Sequence, residues 1–310
     1  MINALSKRLP PDKSKLFHHC VAKLLYVALR CRLDILLAIS FLCTRVTVST
    51  EEDWCKLKRL IRYLHGTVDR KLTIGAHDLS IMDVFVDASY AVHPNMRSHT
   101  GGCIFFGRGA LMSKSVKQSL NTTSSTVSEL VGCSDYIPSA MYANLFLKAQ
   151  GYEISMSNLH QDNQSTIQLL KNGRASCSKK TRHIDIRYFF MKDKVDKKEF
   201  TVKYCPTEQM VADFYTKPTQ GSLFKLLSSV IMGEITLEEF RNVSSAKERV
   251  KNCEQSALDN KNTRANTQLP KNDCSNTQLP ENGCENNVTQ RERHEQKVPT
   301  YAEVTQKDTK

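Results

Sequence analysis

Ile81-Met82-Asp83-Val84-Phe85-Val86-Asp87 alternates along its length and is rich in β-branched and aromatic residues, the pattern of a half-buried strand that stops on an acid. Gly101 to Phe106 and Ala110 to Ser113 follow as short strands separated by Gly107-Arg108-Gly109, so three antiparallel strands are expected. Beyond them the period changes to that of a helix over Ser124 to Leu147, with Ser and Thr at its entrance and Leu130, Tyr136, Met141 and Leu145 available for one buried face. Ser157 to Asp162 reads as a strand, and Gln164 to Lys171 as a helix ending near Asn172-Gly173. Thr181 to Val195 is a longer helix with Ile184, Tyr188 and Met191 on one side. Phe200 to Tyr204 is a further strand, and a last helix begins near Thr207-Glu208, carrying Val211, Phe214 and Tyr215. The order β-β-β-α-β-α-α-β-α predicts an α/β fold of α+β layers, a mixed sheet with helices packed on its faces.

Upstream, apolar residues from Phe17 to Leu72 recur at three- and four-residue spacing, as in Leu24, Leu25 and Ala28 and again in Leu57, Leu60, Ile61 and Leu64. These are amphipathic helices, the second opened by Ser49-Thr50-Glu51-Glu52 as a cap with early acids. No chemistry is legible there, which leaves the role of a helical support. Leu24 to Cys43 is broken by Arg30, Arg32 and Asp34, so it reads as a buried helix and no membrane partner is expected. Downstream, Glu234 to Val250 reads as a short solvated helix. From Lys251 onward Asn, Gln, Thr, Lys and Glu dominate, with too few apolar side chains to offset an ordering cost of about 1–2 kcal/mol per residue.

The chain of 310 residues carries a formal charge of +12. Residues 245–310 hold 11 basic and 10 acidic side chains, so the basicity belongs to the rest and favours a phosphate-bearing partner. Eleven cysteines without a Cys-x-x-Cys pair argue against a disulfide framework or a zinc site, and fit reduced thiols in a cytoplasmic or nuclear setting.

Four acids stand where convergence is geometrically sensible. Asp87 ends the first strand, Glu129 lies in the first turns of the long helix, Asp162 ends the next strand, and Asp213 lies early in the final helix, at gaps of 42, 33 and 51 residues. Taken singly, each has a plain explanation as a turn residue, a helix-dipole partner or a solvated side chain. Taken together, they match what two hard divalent ions about 3.5–4 Å apart require for phosphodiester hydrolysis: oxygen ligands from several elements.

Six ordered blocks then add a resemblance. Val86-Asp87-Ala88-Ser89, Thr100-Gly101-Gly102, Ser124-Ser125-Thr126 with Glu129-Leu130, Asp162-Asn163-Gln164-Ser165, Thr181-Arg182-His183-Ile184-Asp185-Ile186-Arg187-Tyr188 and Ala212-Asp213 with Thr216-Lys217-Pro218 closely resemble the ribonuclease H domain of copia-type LTR retrotransposon Pol polyproteins. Leu24-Leu25-Tyr26-Val27-Ala28, Arg32-Leu33-Asp34-Ile35 and Leu60 to Thr67 resemble the stretch that joins the reverse transcriptase to it. Two positions depart: Val127 stands where an acid is usual, and Leu33 where a proline is usual. The resemblance implies a ribonuclease H-like mixed five-stranded sheet flanked by helices. It also implies that Asp87, Glu129, Asp162 and Asp213 are the catalytic, metal-binding quartet for two Mg2+ ions, with Mn2+ as the alternative. The expected organisation is a disordered start (1–16), a helical reverse-transcriptase-derived connection (17–75), the ribonuclease H-like domain (76–233), a short helix (234–250) and a disordered polar tail (251–310).

The implied activity is hydrolysis of the RNA strand of an RNA–DNA hybrid. A hybrid is gripped through its backbone, so small polar and basic side chains beside the acids are the substrate-binding candidates. These are Ser89, Asn121, Ser125, Asn163, Lys180, Arg182 and His183, with Arg97, Lys114, Lys117 and Lys179 as further cations. His183 has two readings, a phosphate or proton-transfer contact and a helix-packing role. No two aspartates are adjacent, so reverse transcription by this chain alone is not expected; the remaining reverse transcriptase of a longer polyprotein would be a further partner. A retroelement particle in cytoplasm or nucleus is the implied location. The competing reading is a catalytically silent retrotransposon remnant or nucleic-acid-binding module.

Overall fold

A computed structural model describes residues 6–76, 78–172 and 182–246, with the side chains of 172 and 182–185 apart. The expected tail at 251–310 lies outside the described residues.

The chain opens with α1 (Pro11–Arg30), α2 (Leu36–Cys43) and α3 (Glu51–His65). Of the expected disordered start at 1–16, the described residues 6–16 are ordered. Leu9 is buried and its N–H donates to the Ser49 carbonyl at 3.0 Å, Arg8 bridges Thr50, and α1 carries proline in its first turn, where no N–H is needed. The expected cap of α3 is present as a reciprocal pair: Asp53 N–H donates to Thr50 Oγ1 at 3.4 Å and Thr50 N–H to Asp53 Oδ2 at 3.0 Å.

The strands are β1 (Gly75–Ala76), β2 (Ile81–Ser89), β3 (His99–Phe105), β4 (Gly107–Arg108), β5 (Ala110–Lys117), β6 (Met156–Gln161) and β7 (Thr201–Tyr204). Five of them form one sheet in the order β5-β3-β2-β6-β7, antiparallel for β5, β3 and β2 and parallel for β2, β6 and β7. β1 and β4 form a separate two-residue ladder. Further helices are α4 (Ser125–Ala149), α5 (Gln164–Asn172), α6 (Arg182–Asp196) and α7 (Gly221–Met232), with another over 237–246. This is the expected mixed five-stranded sheet flanked by helices.

Alternation along β2 divides the core. Val84 and Val86 face one side, where Leu130, Cys133, Tyr136 and Ile137 of α4 and Tyr188 and Met191 of α6 cover them. Phe85 faces the other, in one cluster with Cys103, Phe105, Phe17, Val21, Ile39, Leu57 and Ile231. The boundary expected at 75/76 therefore parts two stretches of chain but not two cores, because the N-terminal helices are the layer that covers the second sheet face. A buried charge network ties this layer down. Asp34 accepts two hydrogen bonds from Arg32 at 2.9 Å and one from Tyr63 Oη at 2.6 Å, and Arg70 reaches both Asp34 and, at 2.7 Å, Glu234. Among the described residues no helix is long and apolar enough to cross a membrane.

Three local expectations differ from the structure. Leu145 is exposed, since the buried stripe of α4 runs through Leu130, Cys133, Ile137 and Ala140 and has turned away by then. The helix expected from Thr207 is instead two short 3-10 turns, Thr207–Gln209 and Val211–Tyr215, split by extended Met210; the second buries Val211, Phe214 and Tyr215. The helix expected to be solvated, observed over 237–246, buries Leu237 and Phe240 in the second core because its Thr236–Glu239 cap turns it back onto the sheet.

Two adjacent glycines let layers close on both faces of β3. A Cβ on Gly102 would lie 2.7 Å from the Tyr136 ring, and one on Gly101 would lie 2.7 Å from Thr216 Cγ2 and 2.9 Å from the Ala212 carbonyl oxygen. Close approach of the Val211–Tyr215 turn to β3 therefore requires glycine at 101.

Candidate active site

Asp87 stands two residues before the end of β2, opposite Gly101 of β3. Asp162 follows the last residue of the parallel neighbour β6, so the pairing of β2 with β6 brings two strand ends together. Asp213 sits in the Val211–Tyr215 turn, which the glycines of β3 allow to lie against the sheet. The three side chains each offer an oxygen within 4.8 Å of the others, the one such acidic or metal-ligating group among the described residues.

Glu129 approaches from α4, whose first turn is capped by Ser124 Oγ accepting the Val127 N–H at 3.2 Å. Its carboxylate is buried, accepts from Gln161 Nε2 at 3.2 Å and from the Ala88 amide, and feels the charges of both Asp87 and Asp162. Glu129 therefore feels two of the three clustered aspartates while standing outside the group of three itself.

Crowding of acids in a buried place changes their titration. Burial first, and then the charges of Asp87 and Asp162, push Glu129 well above the ordinary carboxylate range. Burial and Asp87 push Asp213 up to about 7, against the opposing pull of Lys217. Asp162 is raised by burial and by Asp87. Such a concentration of negative charge with hard oxygen donors fits divalent cations such as Mg2+.

Two side chains of the same turn, unassigned by the sequence reading, hold the acids. Thr216 Oγ1 donates to Asp87 Oδ2, and the Lys217 ammonium lies 2.7 Å from Asp213 Oδ1 and 3.8 Å from Asp87 Oδ1. The signal for Lys217 was its spacing of four from Asp213, which places one helical turn between opposite charges.

The substrate-binding candidates fare unevenly. Ser89 Oγ donates to the Thr216 carbonyl at 3.2 Å, so it latches the acid-bearing turn to β2. Asn163 Oδ1 accepts the Thr166 N–H at 3.1 Å and caps α5. Asn121 and Ser125 are exposed near the entrance of α4. Lys114 donates to the Asp135 carbonyl at 3.0 Å. Lys179 and Lys180, and the side chains of Arg182, His183 and Asp185, lie outside the described residues.

No protein-family model matches the chain. Over 216 residues it is 28% identical to the retrovirus-related Pol polyprotein from transposon TNT 1-94 of Nicotiana tabacum, covering 69% of this chain and 16% of that protein. Over 236 residues it is 25% identical to the transposon Ty1-GR3 Gag-Pol polyprotein of Saccharomyces cerevisiae, covering 74% and 13%. Its homologues are retrotransposon Pol polyproteins. The copia-type resemblance of the six sequence blocks agrees with this, and the chain spans about one sixth or less of the length of these curated relatives. Partial overlaps with solved structures include LC11-RNase H1 isolated from compost, at 12% identity and a TM-score of 0.34, over 44% of this chain and 93% of that one. The same enzyme in complex with an RNA/DNA hybrid overlaps at 11% identity and a TM-score of 0.32, over 42% and 88%.

Proposed function

We propose that this chain is the ribonuclease H portion of a copia-type retrotransposon Pol polyprotein and hydrolyses the RNA strand of RNA–DNA hybrids with divalent metal. The observation that carries this reading is the meeting of Asp87, Asp162 and Asp213 within 4.8 Å, with Glu129 beside them, from four separate elements. The retrotransposon homologues support it. So does the excess of basic side chains outside the tail, which suits a polyanionic substrate. Residues 76–233 would carry the site, with 17–75 as the reverse-transcriptase-derived layer beneath it. The remaining reverse transcriptase of the polyprotein would be a partner, in a retroelement particle of cytoplasm or nucleus.

Asp87, Glu129, Asp162 and Asp213 would hold two Mg2+ ions, or Mn2+ in their place. Bound there, such ions supply an activated water, a stabilised leaving oxygen and neutralisation of charge on the phosphate. The protein's own contribution is orientation. Thr216 fixes one oxygen of Asp87 and leaves the other facing the cluster, while Ser89 secures the turn that carries Thr216 and Asp213. Lys217 supplies positive charge at the rim, where a phosphate oxygen would approach. Exposed Asn121 and Ser125, with Lys180, Arg182 and His183, are proposed to meet the hybrid backbone.

The test is cleavage of a labelled RNA–DNA hybrid by the full chain with Mg2+ or Mn2+, beside Asp87→Asn. Wild type should cut the hybrid and spare duplex DNA, and the variant should lose at least about a thousandfold in rate while still binding hybrid. If a folded wild-type chain binds hybrid but cuts no faster than Asp87→Asn in either metal, the silent nucleic-acid-binding module replaces this reading.

A further inference from the structure

Gln161 joins two of the four acids through one side chain. It is the last residue of β6, immediately before Asp162, and it is fully buried. Its Oε1 accepts the backbone N–H of Asp162 at 2.8 Å and of Asn163 at 3.0 Å. Its Nε2 donates to Glu129 Oε2 at 3.2 Å and approaches Cys133 Sγ at 3.6 Å. The orientation of the amide follows from its partners: two N–H groups can only donate, so the oxygen must face them and the NH2 must face the carboxylate.

Building on the metal-dependent reading above, we infer that Gln161 is a positioning residue that sets the Glu129 carboxylate against the Asp162 turn and so determines how tightly the acid cluster takes up a divalent cation. The two acids have no element in common. Glu129 rides on α4 and Asp162 on the turn between β6 and α5, and the carboxamide is a direct side-chain link from Glu129 to that turn. Few side chains can replace it. A Glu at 161 keeps both accepted N–H bonds but sets a second carboxylate against Glu129. A Met keeps the volume but removes both the acceptor facing the Asp162 and Asn163 N–H groups and the donor to Glu129 Oε2, a loss on both sides of the link. Outer partners that orient ligands typically change metal affinity by about 10–100-fold when removed, more than a packing defect remote from the ligands would do.

The probe is Mn2+ binding to the full chain, by calorimetry and by the metal-induced rise in melting temperature, for wild type, Gln161→Glu and Gln161→Met. Wild type is expected to bind, and both variants, folded by circular dichroism, to bind about 10–100-fold more weakly. Hybrid cleavage should need correspondingly more metal to reach half its maximum. Should Gln161→Met fail to fold, Gln161→Glu decides alone, since it keeps the bonds that shape the turn. Variants that melt lower yet bind Mn2+ as wild type does, or a Gln161→Glu that binds more tightly, would reduce Gln161 to a packing residue and overturn the inference. A folded wild type that binds no divalent cation would instead overturn the metal-dependent reading, and this inference with it.

Discussion

The Lys217 ammonium stands 2.7 Å from Asp213 Oδ1 and 3.8 Å from Asp87 Oδ1, so the acid cluster contains a cation of its own. Removing it should expose the mutual repulsion of the carboxylates. Lys217→Met is expected to destabilise the metal-free chain by only about 1 kcal/mol, because the side chain is 45% exposed and solvent screens the pair. Saturating Mg2+ should shrink that difference. Scanning calorimetry of both proteins with and without Mg2+ checks this, and a deficit that grows on adding metal contradicts it.

Metal-free stability should fall as pH rises through the neutral range. Burial and the Asp87 charge hold Asp213 up to about 7 in the folded chain, whereas an unfolded aspartate titrates near 4. Between those values the folded state binds the extra proton, so its stability is present below about pH 4 and drains away as pH climbs to about 7. Raised Glu129 and Asp162 act in the same sense. The melting temperature of metal-free wild type should drop by several degrees from pH 5 to pH 8, and less so in Asp213→Asn. Mg2+, which competes with protons for the same oxygens, should stabilise more at pH 8 than at pH 5. A wild-type profile parallel to that of Asp213→Asn would contradict the assignment.

A fragment that starts at residue 76 should not fold stably. It would leave Phe85, Cys103 and Phe105 without Phe17, Val21, Ile39 and Leu57, and uncovering such side chains costs about 1.5–3 kcal/mol each, comparable in sum to the whole stability of a domain. Residues 6–246 should instead run as a folded species. Gel filtration and circular dichroism of the two products decide the matter; a monomeric, cooperatively melting short fragment would show that the N-terminal layer is dispensable.

If the proposed activity holds, Gly101→Ala should reduce hybrid cleavage more than its distance from the acid cluster along the chain suggests. The new methyl would fall 2.7 Å from Thr216 Cγ2 and 2.8 Å from Tyr215 Cβ, so the turn bearing Asp213 and Thr216 must shift outward. Overpacking of this kind costs about 1–3 kcal/mol in stability, and a shift of about 1 Å in a ligand-bearing segment can lower a rate a hundredfold. Cleavage at a temperature where the variant is folded is the measurement, and an unaltered rate would mean that the turn does not have to lie where it does.

Most of the strands and long helices, and the four candidate acids, were legible in local pattern, although the helix expected from Thr207 is two 3-10 turns and α7 was not foreseen. Alternation from Ile81 to Asp87, the Thr50 cap and the helical spacing in α4 are local patterns, governed by contacts a few residues apart, and they place Asp87, Glu129 and Asp162 at element ends before any fold is known. Tertiary structure decided the rest. Thr216 and Asp87 are 129 residues apart, Gln161 and Glu129 are 32 apart, and no local periodicity records which distant side chain a carboxylate will accept from. The same holds for the helix at 237–246, whose polar composition suggested solvation while Leu237 and Phe240 found a sheet face waiting for them. Burial and pairing depend on which surfaces meet, and that is a property of the packed chain as a whole.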